Sequence, residues 1–118
     1  MDLEYGVAPS VTALLNDKGW PVAGVFIGGC QRRGVGSSFH AAAHTHTKTE
    51  PVGWICIRSP KRVLSPSGEP SRLLRHEVAH VLAPKASHGT RAFIAALAQV
   101  GLATDPYSRA GRKRAARG

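Results

Sequence analysis

The sequence predicts an α+β fold: one short N-terminal helix, a small three-stranded sheet, and two helices after it. Three observations lead there. Two segments in the second half carry apolar residues at helical spacing, the segments before them are β-rich or alternate with period two, and glycine or proline separates the pieces.

Val11 to Leu15 reads as the first helix, with Ser10 as its N-cap and Gly19-Trp20-Pro21 as its end. So short a helix must pack on something to persist. Val22 to Ile27 is rich in β-branched and aromatic residues and stops at Gly28-Gly29, the signature of a strand. Ser38 to Thr47 alternates: Phe39, Ala41, Ala43 and Thr45 fall on one face, His40, Ala42, His44 and His46 on the other. Trp54 to Arg58 alternates too, setting Ile55 and Ile57 against Trp54, Cys56 and Arg58. Between those two strands, Lys48 to Gly53 contains Pro51 and reads as a turn.

Ser59 to Pro70 includes Pro60, Pro66 and Pro70 and is expected to be a loop, with Pro70 in the first turn of the next helix. That helix runs from Ser71 to Ala83, with Leu74, Val78, Val81 and Leu82 on one stripe, and Pro84 stops it. The last helix spans Thr90 to Val100. Its buried stripe is expected to hold Phe93, Ile94, Leu97 and Val100, and Gly101 ends it.

With 118 residues, 42% hydrophobic and 19% charged, the chain suits one globular domain, placed at residues 1–104. The acidic start Met1-Asp2-Leu3-Glu4-Tyr5 lacks the pattern of a secretory signal, and no stretch approaches a membrane span, so no membrane contact is expected. Cys30 and Cys56, 26 positions apart, form no C-x-x-C pair and read as free thiols of a reducing compartment. The expected location is cytoplasmic. Abundant Ala, Gly and Arg point to a bacterial or phage genome. Lys and Arg total 16 against 7 acids, a formal charge of +9, which favours contact with a polyanion. Arg109, Arg112, Lys113, Arg114 and Arg117 crowd the end, so residues 105–118 read as a flexible basic tail, a candidate DNA contact.

The chemistry-bearing motif is His76-Glu77-Val78-Ala79-His80. Histidines at i and i+4 on a helix project from one face about 6 Å apart, close enough for both imidazoles to reach a zinc ion. Glu77, adjacent to the first of them, is placed to take a proton from water activated by that zinc. A catalytic zinc needs a third ligand and an open position. His88 follows Pro84 at the mouth of the next helix and is the leading candidate; Asp105 or a strand histidine is the alternative. The metzincin continuation is excluded, because Ala83 and Ala86 occupy the positions that need Gly and His.

The run HEVAHVLAPKASHGTRAF resembles the SprT-like, or Spartan-type, zinc metallopeptidases, in which H-E-x-x-H is followed by a His-Gly-x-x-Phe element. His76, Glu77, His80, His88, Gly89 and Phe93 fall on that pattern, and the specific signal lies from Trp54 onward. A zinc ribbon common in the family is missing, for want of cysteines. The WLM-type peptidases have a similar H-E-x-x-H and later His. The resemblance implies a minimal zincin-like core and action on proteins associated with DNA.

Two further readings concern the strands. The face with His40, His44 and His46 is either an exposed polar face or a wall of the cleft, and the strand Trp54 to Arg58 is a candidate edge for pairing with an extended peptide. The expected function is zinc-dependent hydrolysis of peptide bonds in a protein or peptide substrate, with Glu77 as general base. The rival is a nucleic-acid-binding protein with a purely structural zinc site. A structural site closes with four protein ligands, and no fourth is evident beside the three histidines.

Overall fold

The computed structural model describes residues 3–28, 41–45, 53–84, 86 and 88–102, with the backbone alone at 41–45. The basic tail, Asp105, Cys30, His40, His46 and the 48–52 turn lie outside the described residues.

The fold is α+β, as the sequence predicts. In chain order it comprises β1 (Gly6–Val7), α1 (Pro9–Asp17), β2 (Gly24–Ile27), β3 (Ala41–Thr45), β4 (Gly53–Ile57), α2 (Arg72–Leu82) and α3 (Arg91–Gln99). The three expected strands are present, and the two-residue β1 adds to one edge, giving the order β1-β2-β4-β3. β4 runs parallel to β2 and antiparallel to β3. It therefore lies inside the sheet with both edges paired, which corrects the reading of Trp54 to Arg58 as an edge for peptide. Alternation shows which face of a strand is apolar but not which strands flank it.

Register sorts the two sheet faces. Val25 pairs with Ile55 and Ile27 with Ile57, and all four side chains are fully buried. On this face α2 lies close: a Cβ at Gly53 would stand 2.8 Å from Cγ2 of Val81. Val81 is β-branched and held in a helix, so it yields little. Gly53→Ala is expected to cost about 1–3 kcal/mol through overpacking, read as a lower urea midpoint, because strand and helix must separate to admit the methyl. An unchanged midpoint would mean that α2 packs less tightly on β4 than these distances indicate.

α1 begins earlier than Ser10. Pro9 is its first residue and Ala8 its N-cap, with no side-chain cap, so the preset φ of proline replaces the hydroxyl as the start signal. The backbone N–H of Ala8 donates to the carbonyl of Val25 at 2.9 Å, and Val11 and Leu15 bury their side chains in the core. The loop after β4 contains a short 3-10 turn, Pro60–Arg62. Lys18 reaches the same loop through an ion pair with Glu69 at 2.7 Å, and that ammonium lowers the Glu69 pKa from its ordinary value. Pro70 sits just outside α2, bridged to Leu64, and Ser71 takes the capping position. In α3, Phe93, Leu97 and Val100 are buried, whereas Ile94 is 44% exposed. Ile94 lies one residue, or about 100°, around the helix from Phe93, and Ala96 fills the inward position instead. No described helix is long and apolar enough to cross a membrane.

Candidate metal centre

α2 carries two of the site residues and is anchored at its start. The Ser71 hydroxyl accepts from the N–H of Leu74 at 3.1 Å and donates to the carbonyl of Arg62 at 2.6 Å. Arg75 donates through Nε to the Pro70 carbonyl at 3.1 Å and through Nη1 to the Val100 carbonyl at 3.4 Å, tying the start of α2 to the end of α3. Leu74 and Val78 of α2 are fully buried. Their neighbours His76 and Glu77 are the buried polar residues of the described core, 5% and 6% exposed.

Beyond α2 the chain reverses. Ala83 closes the helix with its N–H on the Ala79 carbonyl, Ala86 N–H bonds Ala83, and Gly89 takes φ +89°, a left-handed turn that favours glycine. Thr90 then caps α3, its hydroxyl accepting from the N–H of Phe93 at 3.3 Å. His88 sits two residues before that cap.

The three histidines meet through one atom each. His80 Nε2 lies 3.1 Å from His76 Nε2 and 3.0 Å from His88 Nε2, and one ligand atom from each residue falls within 4.8 Å of the others. Tetrahedral coordination with metal–nitrogen bonds of about 2.0–2.1 Å puts neighbouring nitrogens roughly 3.3 Å apart, close to the two short separations, and the wider spread of up to 4.8 Å across the set closes by rotation of the imidazoles. A neutral imidazole has one ring N–H, so a single proton on His80 Nε2 cannot bridge both neighbours; a cation accepts all three lone pairs at once. The three residues are therefore fit to hold a metal ion. His76 is buried while His80 and His88 are half-buried, so the group has a dry side and a solvent-facing side.

Glu77 supplies no ligand atom to this cluster. Helical geometry turns it about 100° from His76. Phe93, fully buried, completes the centre: its ring centroid lies 5.6 Å from that of His76, 4.5 Å from His80 and 5.1 Å from His88.

His76, His80 and His88 come together as the sequence predicts, with Glu77 buried beside them. Of the strand histidines, His44 is described through its backbone, which pairs with Trp54 of β4. His40 and His46 lie outside the described residues, so the two readings of the histidine face stand as the sequence leaves them. Sequence reasoning also missed the support of the site. Thr90, three positions before Phe93, has the spacing of an N-cap, and that signal was available; the contact of one phenyl ring with three imidazoles has no sequence signature. A cavity of about 620 Å³ between the N-terminal segment and the loop after β4 is lined by Tyr5, Lys61 and Leu64 among others, and by none of the three histidines. Compared with protein-family models, curated proteins and solved structures, the chain finds no match in any of the three.

Proposed function

We propose that the chain is a zinc-dependent metallopeptidase of the SprT-like kind. The observation that carries this reading is the convergence of three imidazole nitrogens, with the residue after His76 a buried glutamate that is not itself part of the cluster. Three imidazoles suit zinc among the available divalent ions, and a zinc ion bound there supplies polarisation of the scissile carbonyl and a lowered pKa for the attacking water.

The remaining work falls to the chain's own residues. His76, His80 and His88 hold the ion, and three protein ligands are the number of a catalytic zinc, which keeps its fourth position for water or substrate. This favours catalysis over the structural-clip alternative. Glu77 accepts the proton of the attacking water and returns it to the leaving amine, so one carboxylate serves both halves of the hydrolysis. Burial of Glu77, 6% exposed, limits the access of bulk water to its carboxylate.

The direct test is cleavage of an unfolded protein by zinc-loaded chain, with and without a chelator and with and without DNA. Hydrolysis that stops on chelation and returns with zinc is expected, and the basic tail makes DNA stimulation part of the proposal. A zinc-loaded chain that cleaves nothing under either DNA condition overturns the peptidase reading and leaves the structural site.

A further inference from the structure

Two of the three histidines are held by a helix, but His88 is not. Its position comes from a reversal at Pro84, a left-handed Gly89 and the first turn of α3. An imidazole on such a loop has torsional freedom that the helix pair lacks, and without a metal the three converging nitrogens crowd their lone pairs.

Phe93 is the common neighbour. Its ring meets His76 and His88 at steep angles, 72° and 65°, and lies nearer parallel to His80 at 33°, with centroid separations of 4.5–5.6 Å. These are favourable aromatic arrangements. Phe93 lies in the first turn of α3 and its backbone N–H donates to the Thr90 hydroxyl at 3.3 Å, so the same cap that starts the helix sets both Phe93 and the approach of His88.

We propose that Phe93, held by the Thr90 cap, is a positioning residue that preassembles the three-histidine site before metal arrives. Thr90 and Phe93 act through the imidazoles and touch no substrate. The inference rests on the reading of His76, His80 and His88 as metal ligands, but not on peptidase activity.

The experiment measures zinc affinity by chelator competition for wild type, Phe93→Leu, Thr90→Val and Thr90→Ser, with the urea midpoint of each metal-free protein alongside. Phe93→Leu keeps an apolar side chain and is expected to lower zinc affinity about 10–100-fold, the range seen when groups supporting a metal ligand are removed. Thr90→Val, which loses the cap, should weaken binding in the same direction, and Thr90→Ser, which keeps it, should restore it. A merely structural role moves the urea midpoint and leaves the affinity of the folded protein unchanged. If Phe93→Leu does not fold, the Thr90 pair decides. Wild-type affinity in Phe93→Leu, or equal affinity in Thr90→Val and Thr90→Ser, overturns the inference while leaving the metal centre intact. A wild-type chain that binds no zinc overturns both.

Discussion

Glu77→Gln is expected to lower the rate of peptide hydrolysis by about 10²–10⁴ while the protein keeps its fold and its metal. The substitution preserves the shape of a side chain that is only 6% exposed, so packing changes little. It removes the proton acceptor. Metal content should stay at the wild-type level, because the Glu77 carboxylate is not among the clustered ligand atoms. Initial rates of cleavage, zinc content and thermal midpoint, measured for both proteins together, separate the possibilities. Equal rates would sink the proposed mechanism, whereas a loss of zinc in the variant would mean that Glu77 is a ligand and the site a different one.

His88→Ala has the next largest expected effect. It takes the centre from three ligands to two and should cost more zinc affinity than the roughly 10–100-fold attached to loss of a supporting group. His76→Ala and His80→Ala should do the same, since each nitrogen of the cluster has a partner within 3.1 Å. The informative comparison is between His88→Ala and Asp105→Ala. If the first binds zinc like wild type and the second does not, the third ligand is Asp105 and the grouping around His80 is incidental.

Much of the site was legible because its first part is local. Four residues of helix bring His76 and His80 to one face whatever the rest of the chain does, and Pro84 ends that helix on steric grounds. His88 was legible less directly, as the next histidine after a chain reversal. Its approach to His80 at 3.0 Å depends on Gly89 and on how α3 docks against α2. The helix starts show the same division. Ser71 and Thr90 cap by a hydroxyl, as their residue types allow, but at the first helix Pro9 overrode the better capping residue, Ser10.

The sequence by itself determined the element types, the helix that bears the H-E-x-x-H motif and the identity of the candidate ligands. Those follow from periodicity and from local backbone chemistry. Only the tertiary structure decided that β4 lies between β2 and β3 rather than at an edge, and that Phe93 rather than Ile94 points inward against all three imidazoles. Such choices turn on which buried surfaces meet across long stretches of chain. That free energy belongs to the packed pair and to neither segment alone.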